Sequence, residues 1–114
     1  MESSERRRDI RAHASPPLHI LRIGTSERVE VLNVSYRGLF LRMDEPPPMN
    51  ELLRVRVELP SSMVIEANVV TVRTVVDAQG RSGVGVKFFV LGGEEKRAWE
   101  SYIASLVQPR RVAA

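Results

Sequence analysis

The stretch LRVRVEL, residues 53–59, decides the fold class, because its apolar and charged residues alternate without interruption. Leu53, Val55, Val57 and Leu59 fall on one side of an extended chain, and charged residues fall on the other. Successive side chains of a β-strand point to opposite faces of the sheet. The pattern therefore predicts an antiparallel strand with one face in a core and one face in water.

Five further segments have the composition of strands, being rich in β-branched and aliphatic residues and bounded by turn residues. They are 18–23, 28–34, 38–42, 63–76 and a last segment in which Val84, Val86, Phe88 and Val90 alternate inward. Within 63–76 the apolar positions change phase after Val69, where Val70 and Val72 become the apolar set. Such a change predicts a β-bulge or a barrel corner.

The period changes to that of a helix over residues 93–107. Trp99, Tyr102, Ile103, Leu106 and Val107 form one apolar stripe at helical spacing, which we expect to pack on the strands or on a partner. Six strands followed by one helix predict an all-β fold, a six-stranded antiparallel β-barrel with a C-terminal α-helix.

The chain of 114 residues suits a single folded unit with two polar ends. Residues 1–17 are polar, and the prolines at 16 and 17 are incompatible with a helix, so we expect a flexible N-terminal arm. The barrel and helix then occupy 18–108, and 109–114 form a short tail.

Composition excludes several functional classes. No cysteine is present, and His13 and His19 lack partners at metal-ligand spacing, so we expect no metal and no disulfide framework. No serine has the sequence context of a nucleophile, and we expect no enzymatic activity and no cofactor. The charged N-terminus and the short apolar runs predict a cytoplasmic protein without a membrane segment.

The charge balance is mildly basic. The net charge is +3, too small to indicate nucleic acid by itself, but only Lys87 and Lys96 are lysines, so fifteen of the 17 basic residues are arginines. Arginine presents a planar fork of donors that suits phosphates and guanine edges.

Two short motifs stand out, separated by 21 residues. The basic stretch ERRRDIR, residues 5–11, contains R-x-x-x-R at Arg7 and Arg11, and the second motif, N-x-S-x-x-G, begins at Asn33. Val29 and Val31 precede Asn33 and Ser35 at the same parity, so we expect a buried strand face to end in polar groups. This pattern indicates either a binding site or side chains that bond to the backbone of a nearby turn.

Together, on the predicted barrel-plus-helix plan, the two motifs resemble those of the PilZ domain family. GVGVKFF, residues 83–89, is similar to the closing strand of that family. The resemblance implies binding of cyclic di-GMP, a bacterial second messenger with two phosphates and two guanines. The ligand-binding residues that it implies are Arg7, Arg8, Arg11, Asn33, Ser35 and Gly38.

The resemblance also implies finer features of binding. The arm would become ordered over the ligand and change a surface seen by a downstream protein. Gly38 would provide a positive backbone φ or leave room for a base. Many family members carry aspartate where this chain has Asn33, which changes the charge at the site. Arg6, a basic residue before the first motif arginine, implies two stacked ligand molecules.

Two other functions remain open from the sequence. One is a PilZ-like adaptor that contacts proteins without binding the nucleotide, as a monomer or a homodimer. The other is a nucleic-acid-binding barrel, which is less favoured because that mode needs aromatic stacking platforms on the strands. Only Tyr36, Phe40, Phe88 and Phe89 lie on or near strands.

Overall fold

A computed structural model describes residues 11–107. Its elements are β1 (Arg11–Ala12), β2 (Leu18–Arg22), β3 (Thr25–Ser35), β4 (Gly38–Arg42), β5 (Leu52–Glu58), β6 (Val64–Val76), β7 (Ser82–Phe88) and α1 (Gly93–Val107). The predicted tail at 109–114 and the first ten residues of the predicted arm lie outside the described residues.

Six strands close into an antiparallel barrel in the order β2–β3–β4–β7–β6–β5, with β5 pairing back to β2. The long strand β3 makes closure possible, because residues 25–29 pair with β2 and residues 30–34 pair with β4. A closed barrel leaves none of its strands with an unpaired edge. The predicted fold class, a six-stranded antiparallel barrel followed by a helix, is confirmed.

A seventh, two-residue strand lies at the end of β3. Arg11 pairs opposite Ser35 and Ala12 pairs opposite Val34, both in antiparallel register. The sequence pattern predicted no strand in the arm. The pairing fixes the backbone of Arg11, the first described residue, beside the end of β3.

The core lies inside the barrel and extends under the helix. The alternation predicted for residues 53–59 is confirmed, because Leu53, Val55 and Val57 are buried while Arg54 and Arg56 are exposed. All of the large side chains below 2% exposure are aliphatic apart from one tryptophan: Trp99, Leu18, Ile20, Leu39, Leu41, Ile65, Ile103, Val31, Val34, Val55, Val57 and Val69.

The last strand is shorter than predicted. Val84 and Val86 face the core, but β7 ends at Phe88 and 78% of Val90 is exposed. The inward position predicted for Val90 is therefore wrong. The alternation read from the sequence continued past the point where pairing with β4 and β6 stops.

The bulge predicted in β6 is confirmed, because the register against β7 shifts between Thr71 and Arg73. The predicted change of buried set is wrong. Thr71 occupies the next core position after Val69 and is fully buried, whereas 41% of Val72 is exposed. Ordinary alternation from Val69 thus places the hydroxyl of Thr71 inside, and Val72, the extra residue of the bulge, lies outside. The Thr71 hydroxyl makes no hydrogen bond within the described residues.

Asp77 closes the hairpin between β6 and β7. Its Oδ1 accepts hydrogen bonds from the backbone N–H groups of Gln79 (2.9 Å) and Arg81 (2.8 Å), and its Oδ2 accepts from Arg42 Nη1 at 3.2 Å. The Arg81 N–H, above all, holds the pKa of Asp77 below its ordinary value, and partial burial of the carboxylate opposes this effect without outweighing it.

The helix packs against the barrel through two fully buried residues of the predicted stripe, Trp99 and Ile103. Tyr102 is partly buried beside them, and burial raises the pKa of its phenol. Leu106, at the far end of the stripe, is 37% exposed. Within residues 11–107, no helix has the length and apolarity needed to cross a membrane.

Candidate functional site

The second motif begins at a β-bulge in β3. The register against β4 shifts between Val31 and Asn33, so Leu32 is the extra residue. Val31 and Val34 are therefore both buried in the core, and Asn33 is turned to the outer surface of the barrel. The prediction that Asn33 continues the buried face of Val31 is wrong, because a bulge reverses the parity on which it rested.

Ser35 shares the face of Asn33 but is only 6% exposed. Its hydroxyl accepts a hydrogen bond from the Gly38 N–H at 3.3 Å and donates one to the Gly38 carbonyl at 3.4 Å. These bonds close the turn Tyr36–Arg37 between β3 and β4. Ser35 thus performs the turn chemistry that the sequence left open. A hydroxyl has one donor and two lone pairs, so one lone pair remains for a ligand.

Gly38 is required by close packing of backbone atoms. A Cβ atom at this position would collide with the Val86 carbonyl oxygen and would lie 2.8 Å from Lys87 Cα on the neighbouring strand β7. The backbone φ of Gly38 is not positive, so that sequence-based explanation is wrong. The glycine lets β4 approach β7 directly behind the turn that Ser35 closes.

The structure brings residues of the two motifs together. Arg11 lies diagonally across from Asn33 on the paired strands β1 and β3, and its Nη1 donates a hydrogen bond to Asn33 Oδ1 at 3.1 Å. A guanidinium carries five N–H donors, so this bond leaves four for other acceptors. Arg6, Arg7 and Arg8, the other predicted site residues of the arm, lie outside the described residues.

Trp99 connects this site to the helix, a link that was not predicted from the sequence. Its indole Nε1 donates to the backbone carbonyl of Ser35 at 3.0 Å, and its ring lies 5.1 Å from the Phe88 ring and 5.5 Å from the Tyr102 ring. The sequence indicated that Trp99 has some hydrogen-bond acceptor, because a buried tryptophan needs an acceptor for its N–H, but it did not indicate where that acceptor lies. The apolar stripe of the helix predicted that Trp99 is buried, but it did not identify the Ser35 carbonyl as its hydrogen-bond partner.

A cleft of about 420 Å³ opens where the motif turn meets the helix. Arg37, Lys87 and Lys96 contribute positive charge to its lining, and Glu100 contributes one negative charge. Trp99 and Phe88 form part of its apolar wall. The cleft therefore adds positive charge beside the turn between Ser35 and Gly38.

Comparison with protein families decides the relationship, since the sequence model of the PilZ domain matches residues 5–105. The chain belongs to the PilZ domain family. This confirms the resemblance that the two motifs and the closing strand indicated, and with it the prediction of a ligand-binding domain rather than an enzyme. Among curated proteins, none gives a significant match.

Solved structures share the fold of this PilZ domain at low sequence identity. The inhibitor of motility MotI (DgrA) of Bacillus subtilis matches 90% of the chain with a TM-score of 0.76 and 19% identity. The PilZ domain of YcgR from Escherichia coli, determined with cyclic di-GMP, matches 89% of the chain and 91% of its own length, with a TM-score of 0.63 and 18% identity.

MrkH of K. pneumonia, determined in its apo state, matches 87% of the chain with a TM-score of 0.68 and 16% identity. The chain spans only 52% of the MotI chain and 49% of the MrkH chain. These likenesses show that the barrel and helix are the shared fold.

Proposed function

We propose that this PilZ domain binds cyclic di-GMP through its two motifs, and that binding orders the arm and changes a protein-interaction surface. The observation that carries the proposal is the contact between Arg11 and Asn33, which joins the two motifs at 3.1 Å on the outer surface of the barrel. The YcgR PilZ domain, which has the same fold, was determined with this nucleotide.

Each proposed ligand residue has groups suited to the nucleotide. Arg11 and Arg7 supply planar donor forks for phosphate oxygens or for guanine O6 and N7, and Arg8 is a further donor on the arm. Asn33 offers an amide that both donates and accepts, without the charge of an aspartate. Ser35 keeps one lone pair for a guanine N–H.

Gly38 contributes indirectly, because the absence of a Cβ lets the turn that Ser35 closes lie directly against β7. The positive charge of the cleft between the turn and the helix favours an anionic ligand nearby. Arg6, preceding the first motif arginine, is proposed to favour two stacked nucleotides over one.

The bond between Trp99 and the Ser35 carbonyl supports a route from the site to a partner protein. Movement of the motif turn changes the position of the Ser35 carbonyl, to which the helix is attached. The outward side of α1 is exposed and charged, and a downstream protein would recognise it together with the ordered arm.

A nucleic-acid-binding barrel is supported less well. Phe88 packs against Trp99, and Phe40 packs against Gly83, so both rings are partly covered by the domain itself. Of the four aromatic residues near strands, only Phe89 is largely exposed, at 52%. A single exposed ring does not provide the succession of stacking platforms that a single strand needs.

Isothermal titration of the purified chain with cyclic di-GMP tests the proposal. We expect saturable heat for the wild type and no detectable binding for Arg11→Ala or Arg7→Ala. Arg56→Ala is the matched control, because Arg56 is an exposed arginine on β5, which lies across the barrel from β4. A folded wild type that gives no heat would refute nucleotide binding and favour the adaptor function.

A further inference from the structure

The Gly83–Val84–Gly85 segment of β7 forms a shallow channel on the outside of the barrel. Val84 faces the core, so the two glycines face outward. A Cβ atom at Gly83 would collide with the ring of Phe40, and one at Gly85 would lie 3.1 Å from the Cγ of Arg73. The missing side chains therefore make room for Phe40 from β4 and Arg73 from β6.

The two side chains that fill this channel contact each other. The guanidinium carbon of Arg73 lies 5.5 Å from the centroid of the Phe40 ring, within the range of a cation–π interaction. Arg73 reaches this position by lying across Gly85. Among the described residues Arg73 makes no ion pair, and its side chain is exposed, so its N–H groups remain available to a ligand.

The strand register connects this pair to the motif site. Phe40 is the direct cross-strand partner of Asn33, and Gly85 is the partner of Phe40 on the other side. Neighbouring strands lie about 4.8 Å apart, so Gly85, over which the Arg73 side chain lies, is about two strand spacings, or ~10 Å, from Asn33. Arg11 approaches Asn33 from the opposite side, at 3.1 Å. Arg11 and Arg73 thus approach the surface around Asn33 from opposite sides of β3.

We infer that Arg73 is a further ligand-binding residue and that it takes a guanine base of the nucleotide; this rests on the proposed function. The guanidinium lies over an aromatic ring and keeps its other face and its N–H edge open. A planar face suits stacking of a purine, and the fork matches guanine O6 and N7. Phe40 and Gly85 act as positioning residues, because they hold the fork in place before the ligand arrives.

The test is titration of Arg73→Ala, Arg73→Lys and the control Arg56→Ala with cyclic di-GMP. We expect Arg73→Ala to lower the affinity about tenfold, or about 1.4 kcal/mol, while Arg56→Ala stays within about twofold of the wild type. Arg73→Lys keeps the charge but not the planar fork, so it should restore little of the affinity. The melting temperatures of these exposed variants should match that of the wild type.

The adenine analogue cyclic di-AMP separates base recognition from charge. Adenine presents an amino donor where guanine presents the O6 acceptor, so Arg73 favours guanine. The wild type should therefore prefer cyclic di-GMP, and Arg73→Ala should reduce that preference. Gly85→Val, which displaces Arg73 without removing its charge, should lower the affinity for cyclic di-GMP as Arg73→Ala does.

Three results would overturn this inference while the proposed function stands: full affinity in Arg73→Ala, an equal loss in Arg56→Ala, or full recovery in Arg73→Lys. The last result would mean that Arg73 supplies charge to a phosphate rather than a fork to a base. Absence of binding by the wild type would instead refute the proposed function itself, and the role of Arg73 with it.

Discussion

Replacement of Trp99 by phenylalanine measures how strongly the helix is attached to the motif strand. The indole donates to the Ser35 carbonyl at 3.0 Å in a fully buried position, and phenylalanine keeps an aromatic ring beside Phe88 but loses the N–H. A buried acceptor left without its partner costs about 1–3 kcal/mol. The smaller ring removes further apolar volume, at about 1 kcal/mol.

The free energy of unfolding should therefore fall by about 2–4 kcal/mol, a large part of the 5–15 kcal/mol typical of a small domain. Urea denaturation followed by circular dichroism measures it, because Trp99 is the only tryptophan and its fluorescence is absent from the variant. Ser101→Ala, an exposed change in the same helix, is the control and should stay within about 0.5 kcal/mol of the wild type. A loss below about 0.5 kcal/mol for Trp99→Phe would show that the bond contributes nothing to stability.

Three further changes test other features of the site and the barrel. Gly38→Ala should destabilise the domain by at least about 1–3 kcal/mol in thermal melting, because its Cβ meets the Val86 carbonyl; an unchanged melting temperature would contradict the close approach of β4 and β7. Ser35→Ala should weaken cyclic di-GMP binding by about 0.5–1.5 kcal/mol in calorimetry, and equal affinity would remove the hydroxyl from the ligand contacts. The lowered pKa of Asp77 stabilises the fold above the ordinary carboxylate pKa of about 3.9, and this contribution is lost as the pH falls through the folded-state value. The melting temperature of Asp77→Asn should therefore be lower than that of the wild type at neutral pH, and the difference should narrow below about pH 4. A difference that does not change with pH would show that the charge of Asp77 is not what stabilises the fold.

The architecture was largely predictable from local patterns. Alternation in 53–59 and the helical stripe ending at Val107 describe which face of each element is apolar, and a closed barrel with one covering helix is a way to bury all of those faces at once. The phase change of the apolar residues in the sequence of β6 predicted a bulge, but it did not predict which side chains are buried there, because Thr71 keeps the alternation of Val69. The site was predictable to the extent that residue types at a given spacing identify a family.

The geometry of the site was not predictable in the same way. A single extra residue, Leu32, reverses which side chains of β3 face the core. The local pattern did not predict this bulge, because the side chains on both sides of it are compatible with an uninterrupted strand. The steric need for Gly38 depends on Val86, which is distant in the sequence and close only through pairing of β4 with β7. Such contacts depend on register, which is set by all of the strands together.

By itself, then, the sequence determined six of the strands, the helix, most of their buried faces and the residue types of the two motifs, since these follow from side-chain period and chemistry. Only the tertiary structure decided that Arg11 bonds to Asn33, that Trp99 holds the Ser35 carbonyl, and that Arg73 reaches over Gly85 toward the same surface. The physical reason is that barrel closure and packing of the helix set which residues become neighbours, and those neighbours are separated by 12 to 64 residues in the chain.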